Sequence, residues 1–532
     1  MALFQNLLSS ISFNHSLNLL LFLVFLYIAD FYYKYFNRVN KLPGPFPLPI
    51  IGSLWNKRDR YNEWILKLQR QYGDIFEVWL GPTRKIYLCR AEYFDKIHSL
   101  NTKSKWLSRM RATEGTFELG MGQRGVWLNA NVEDWKYNRH FFNQVMLAPG
   151  FNLKAVNATN KMLKDMEQYW TMLGKDHPID LCKWMGRFTI EMVSVITTGK
   201  RSYSLPAYFN TLSTKKADIL SSILEDSEYL IKNFEKFFSS LPIFTIFPYY
   251  IRHYFPILRN LTKIGLESRD NLHNIFLGII RERRKELEKN DCEVSNDMLT
   301  SLIMANTKKN HDKDVNYDLR PMTDHEIMGN ILDAFLGGGG PSTFAVCVIT
   351  HYMCKYPKVL QKVRQELDSV FGNDCNHPFT LDDLSKLKYC EAVINETIRV
   401  HNAAHTVPRE NTGSDELLGY NWPAHSEFML FYEGGNKHPD FWKNPEDYDP
   451  DRFMKEDMVL KRNFVIFGGG LRQCPGKKLA LIWIKGFMAT FLRKYDITLM
   501  YDELNFKSTL FKSYLETMNI KISPRNNATL YS

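Results

Sequence analysis

An apolar run occupies Leu17–Phe36 (LNLLLFLVFLYIADFYYKYF), about the 20 residues that a helix needs to cross a bilayer. It lacks the small residues of a signal-peptide cleavage site and continues into tyrosines, so it is predicted to stay as an anchor. Lys34, Arg38 and Lys41 lie on its C-terminal side, and the positive-inside rule then puts the body that follows in the cytosol. Asp30 within the run is tolerable beside the interfacial Tyr32 and Tyr33. Next comes Leu42-Pro-Gly-Pro-Phe-Pro-Leu-Pro49, whose alternate prolines forbid a helix and favour a stiff extended strut.

From Tyr61 onward helical periodicity dominates. Short alternating stretches at Ile75–Trp79, Lys85–Leu88 and Thr498–Met500 predict a minor sheet. The stretch Phe234–Leu261 interleaves aromatics and prolines with Arg252, His253 and Arg259, a pattern that fits an interfacial segment dipping into lipid. The loop Met110–Leu128 is expected to wall a pocket.

Composition narrows this picture. At 532 residues and 45% hydrophobic the chain can bury a large core. The net charge of +10 is too small and too dispersed to argue for nucleic acid. The eight cysteines are scattered without a C-x-x-C pair, which reads as a reduced compartment and neither a disulfide framework nor a zinc site.

One of those cysteines carries chemistry. Cys474 lies in Phe467-Gly-Gly-Gly-Leu-Arg-Gln-Cys-Pro-Gly476, just ahead of a helix predicted over Lys477–Lys494. The positive helix N-terminus and its free N–H groups favour a thiolate there. Gly468–Gly470 let the loop turn tightly beneath a flat ligand, and Arg472 is a fixed cation suited to a carboxylate on that ligand. Thiolate, glycine turn and arginine together describe a cradle for haem iron with sulfur as axial ligand.

The spacing F-x-x-G-x-R-x-C-x-G, filled by Phe467, Gly470, Arg472, Cys474 and Gly476, resembles the haem-binding signature of the cytochrome P450 superfamily. The resemblance extends over most of the chain. Glu396 and Arg399, one helical turn apart, followed by Arg452 in Asp449-Pro-Asp-Arg-Phe453, resemble the family's E-x-x-R and P-x-R-F pair, which implies a structural network locking the core around the haem loop. Trp135 and Arg139 form a W-x-x-x-R able to meet a haem propionate, and Arg409 matches a further propionate arginine. The proline strut resembles the hinge of microsomal members.

The segment Asp324–Tyr356 resembles the family's long central helix bordering the oxygen site, but here it departs from pattern. Gly340 stands at the usual acid position and Pro341 at the usual alcohol position. Pro341 is expected to kink the helix, and Ser342 or Thr343, or an ordered water, must take over proton delivery.

The resemblance implies a mainly α fold with a small β region, haem b held between the central helix and the cysteine loop, and one N-terminal transmembrane helix. The expected organisation is an anchor over residues 1–41, a hinge over 42–50 and a catalytic body over 51–532. The implied activity is insertion of one oxygen atom from dioxygen into a lipophilic substrate at the endoplasmic reticulum membrane. Electrons would come from NADPH–cytochrome P450 reductase, docked on a basic face of Arg472, Lys477, Lys478 and Lys485. The alternatives are a peroxide-dependent or hydroperoxide-rearranging enzyme, favoured by Gly340-Pro341, and, from another class, a non-catalytic haem carrier or sensor.

Overall fold

The apolar run forms helix α1 (Phe13–Phe36), whose leucines stand exposed together with Phe22, Phe25 and Phe36; only 6% of the Leu17–Phe36 stretch is buried. Its C-terminal end docks on the body: Phe31 packs edge-on to Trp79 at 5.4 Å, and Arg38 pairs with Glu77 at 2.6 Å. The coordinates are a computed structural model that describes residues 13–111, 113–122, 124–219, 226–289, 297–305, 320–372, 374–455 and 457–525. The outer ends of the expected anchor and body lie outside this set.

The proline strut does not stand free. It runs along strand β1 (Ile75–Leu80), where the Glu77 N–H donates to Pro43 O at 2.9 Å. Any Cβ on Gly44 would lie 2.0 Å from Glu77 O, so this contact requires glycine. Strand β1 turns at Gly81 (φ +59°) into β2 (Thr83–Leu88), close to the alternation predicted for both. Two later strands, β3 (Thr406–Glu410) and β4 (Glu427–Phe431), complete a sheet ordered β1-β2-β4-β3; β2 and β4 are parallel and the other pairs antiparallel.

Helices make up most of the body: α2 (Val132–Leu147), α3 (Leu181–Thr198), α4 (Ser227–Ile246), α5 (Pro256–Glu288), α6 (Asp324–Gly338), α7 (Gly340–Lys355), α8 (Lys388–Val400) and α9 (Lys477–Phe487). Helix α9 stops short of the expected Lys494, passing into a π-helical turn at Met488–Leu492. Near the C-terminus β5 (Tyr495–Leu499) pairs with β8 (Asn519–Pro524), and β6 (Phe506–Ser508) forms a hairpin with β7 (Ser513–Leu515).

Helices α6 and α7 together form the central helix, divided at Gly339. A capping box of Thr323 and Glu326 starts α6. Pro341 explains the division: it has no N–H for the carbonyl four residues back, and the flanking bonds are long, with Gly339 N to Phe335 O at 3.4 Å and Thr343 N to Gly339 O at 3.3 Å. Although apolar enough to span a membrane, Asp324–Lys355 is 67% buried and is a core helix.

The Phe234–Leu261 stretch divides. Phe234, Phe237, Leu241 and Phe244 on α4 are buried core, whereas Tyr250, Tyr254, Phe255 and Ile257 are exposed. Arg252 is no interfacial cation: it is buried and donates to Glu118 at 2.5 Å, which His253 also meets at 2.6 Å.

Candidate active site

The cysteine loop is shaped by what lies behind it. Gly468 and Gly470 have φ of +70° and +64°, a region open to glycine, and a Cβ on Gly470 would lie 2.4 Å from His98 O. A Cβ on Gly469 would meet the His98 ring at 2.7 Å, so Gly470 lets the loop lie on the His98–Ser99 backbone and Gly469 lets it lie on the His98 side chain. The Cys474 N–H donates back to Phe467 O at 2.8 Å, closing the turn. The Cys474 side chain is reachable by solvent yet closely surrounded by protein, as for a group in the wall of an internal slot. Burial pushes its thiol up, opposed by the N–H groups of Gly476 and Lys477 at the start of α9 and by Arg139 and Arg109.

Four guanidinium groups converge on this loop. Arg139 and Trp135 lie one turn apart on α2, whose first turn is capped by Asn131. Arg139 donates to Gln473 O at 2.6 Å, and Arg409, on β3, donates to Pro408 O at 3.0 Å. Arg109, which no motif marked, donates to Arg472 O at 3.3 Å. The Nε groups of Arg109, Arg139 and Arg409 and the indole N–H of Trp135 are buried without a partner. Burial lowers all three cations, and repulsion from Arg109 adds to it at Arg139, lowered to about 10, and at Arg409, lowered to about 9, so these two stay charged at neutral pH.

Arg472 behaves differently from its neighbours. Its donors go to the carbonyls of Leu107 (2.6 Å), Val126 (3.1 Å) and Asn129 (3.1 Å), and its guanidinium stacks over Trp135 at 4.0 Å. It ties the cysteine loop to the 107–129 segment. From the other side Asp333 on α6 accepts the N–H groups of Val126 (2.7 Å) and Trp127 (2.8 Å). Burial pushes the Asp333 carboxyl up to about 7 against those donors and against Arg109 and Arg472.

The central helix presents a stripe. Gly337, Gly340 and Pro341 are exposed although Leu336, Gly339 and Ser342 beside them are buried, and a Cβ on either exposed glycine would meet nothing within 4 Å. With Asp333 one turn earlier, they lie on one face of the central helix, beside open space. Ser342 and Thr343 are buried and lie off that stripe. The Thr343 hydroxyl donates to Gly339 O at 2.9 Å and lies 3.4 Å from that of Thr189 on α3.

Elsewhere the structure brings Glu396, Arg399 and Arg452 together. Arg399 grips Glu396 through two bonds of 2.7 and 2.8 Å, and Arg452 joins at 3.1 Å. The basic face is smaller than expected: Arg472 and Lys485 are buried, Lys485 paired with Glu391 at 2.7 Å, leaving Lys477 and Lys478 exposed.

Residues 42–522 match the cytochrome P450 family. The chain belongs to that family. It is 26% identical to rat cytochrome P450 2B2 over 473 residues, covering 87% of this chain and 89% of the relative. It is 23% identical to cytochrome P450 76T24 of Catharanthus roseus over 86% of this chain and 87% of that one. It is also 23% identical to ferruginol synthase of Salvia fruticosa, over 88% and 91% of the two chains. Members bind haem through a cysteine thiolate, and the protein is a haem-thiolate monooxygenase. The residues present fit that group: a cysteine backed by N–H donors, beside cations and orphaned donors that await carboxylates.

Proposed function

We propose that the protein is a membrane-anchored monooxygenase of the endoplasmic reticulum that oxidises lipophilic substrates with electrons from NADPH through a separate reductase. The observation carrying this reading is the buried, uncompensated arginine cluster beside Cys474, which suits a dianionic prosthetic group. Bound haem supplies dioxygen chemistry at a thiolate-ligated iron. Cys474 holds the metal, with the Gly476 and Lys477 N–H groups steadying the charge on its sulfur. Arg109, Arg139, Arg409 and Trp135 receive the propionates, while Arg472 holds the surrounding loops in register. Glu396, Arg399 and Arg452 brace the loop from behind, and Phe467, Gly470 and Gly476 give it its shape. Helix α1 anchors residues 1–41, the hinge over 42–50 orients the catalytic body of 51–532, and Lys477 and Lys478 dock the reductase.

Proton delivery is assigned to water along the Gly337–Pro341 stripe, because the Thr343 hydroxyl is engaged behind the helix. The same placement favours a second reading, in which the enzyme takes peroxide or a lipid hydroperoxide. The deciding experiment supplies the haem-loaded protein with sterols, fatty acids and terpenoids, under NADPH plus reductase or under peroxide, and scores oxygenated products by mass spectrometry. Product under NADPH and reductase is expected; product under peroxide alone would replace the first reading with the second.

A further inference from the structure

Lys512 occupies an unusual place. It ends the turn of the β6–β7 hairpin, where Thr509 N–H donates to Lys512 O at 2.9 Å, and the next residue fixes the hairpin through Ser513 N–H to Ala403 O at 2.9 Å. Its ammonium points inward, 3.8 Å from the ring centre of Phe238 on α4 and 5.4 Å from that of Tyr514. Among the described residues it has no hydrogen bond and no ion pair. Burial lowers it to about 8, and the one carboxylate that raises it is Glu235, exposed on α4 and out of pairing distance.

Those aromatic faces offset part of the cost of a desolvated cation, and an anion would offset more. The surroundings point into the substrate space. The Phe238 ring meets Trp127 at 6.1 Å, and the Trp127 N–H is held by Asp333, which opens the exposed stripe of the central helix. On the hairpin side Phe506 meets Phe344, on the turn after Pro341, at 6.0 Å. Lys512 therefore lies against aromatic side chains that lead, through Phe238 and Trp127 on one side and through Phe506 of its own hairpin on the other, to the central helix.

We propose that Lys512 is a specificity-determining residue whose ammonium receives the carboxylate of an otherwise apolar substrate. The inference deepens the monooxygenase reading and rests on it for the location of the substrate space. Anchoring the acid end at the hairpin fixes which stretch of the chain is presented for reaction.

Calorimetric titration of the haem-loaded, full-length protein in detergent tests it with dodecanoate, methyl dodecanoate and dodecanol. Dodecanoate is expected to bind about tenfold more tightly than its ester, the scale of one charge-assisted contact. Lys512→Met should erase that preference while leaving ester binding and haem content unchanged, and Lys512→Arg should keep it. Equal affinity for acid and ester in the unaltered protein would overturn the proposal, as would a preference surviving in Lys512→Met. Dodecanoate binding without turnover under NADPH and reductase would sink the monooxygenase reading alone; oxidation of neutral lipids without acid preference would sink only the anchor.

Discussion

Around Glu396, Arg399 makes five hydrogen bonds: two to the carboxylate and three to the carbonyls of Asn436, Pro445 and Asp447. Around Cys474, Arg109, Arg139 and Arg409 each keep a buried Nε without a partner, and no carboxylate pairs with them among the described residues. Both are clusters of arginines whose charges are drawn from several separate elements of the fold. One is closed and the other open. A closed cluster holds the fold together, since its charge is neutralised within the chain. An open one stores repulsion that only a bound anion relieves, which marks it as a ligand site.

Breaking the closed cluster has the largest expected effect. Glu396→Gln strands two buried guanidinium groups, and losing one partner of such a pair costs about 3–5 kcal/mol. Urea unfolding should show that loss, or the variant should fail to accumulate as haem-loaded protein; near-unaltered stability would mean that the cluster is not load-balancing charge in the fold.

Asp333 is the carboxylate facing the open cluster, and its pH dependence sharpens the contrast. Its folded pKa is raised from 3.8 to about 7, so between those values the unfolded chain is ionised while the folded one keeps its proton. Unfolding releases a proton in that window, and this residue's contribution to stability falls as pH rises through it. Asp333→Asn keeps an acceptor for Val126 and Trp127 but should remove that decline, leaving the variant the more stable above about pH 7. Parallel urea curves for the two proteins across the window would contradict the assignment.

Opening the open cluster further has a smaller effect, of opposite sign to Glu396→Gln. Arg409→Met removes one uncompensated buried cation, so the haem-free protein should be as stable or up to about 1 kcal/mol more stable, while haem transfer to apomyoglobin accelerates. Lower stability with unchanged haem retention would reverse the distinction. The smallest effect is expected at Thr343, whose hydroxyl is already satisfied by Gly339 O. Thr343→Val should change turnover less than tenfold, whereas removal of a working proton donor would cost about a hundredfold or more.

Much of this site is legible in the chain because its signals are local. Three residues of spacing bring Glu396 and Arg399 to one helical face, four place Trp135 and Arg139 a turn apart, and the glycines around Cys474 state their own turn. The destination of each donor is not local. Arg472 has the spacing of a propionate ligand, yet its donors go to carbonyls at Leu107, Val126 and Asn129, more than 340 residues away. Arg109 and Asp333 carry no motif, and their importance comes from loops brought together by folding. Phe234–Leu261 reads as one interfacial segment because its pattern does not reveal that Glu118 awaits Arg252.

By itself the sequence determined the anchor helix, the mainly helical body, the proline strut and the cysteine loop, because hydrophobic periodicity, missing N–H groups and glycine freedom act over a few residues. Tertiary structure alone decided which arginines are neutralised and which wait for an anion, that Thr343 turns away from the exposed stripe, and that Lys512 faces an aromatic wall. The reason is electrostatic: the state of a buried charge depends on every group within a few ångströms, and those groups come from distant parts of the chain.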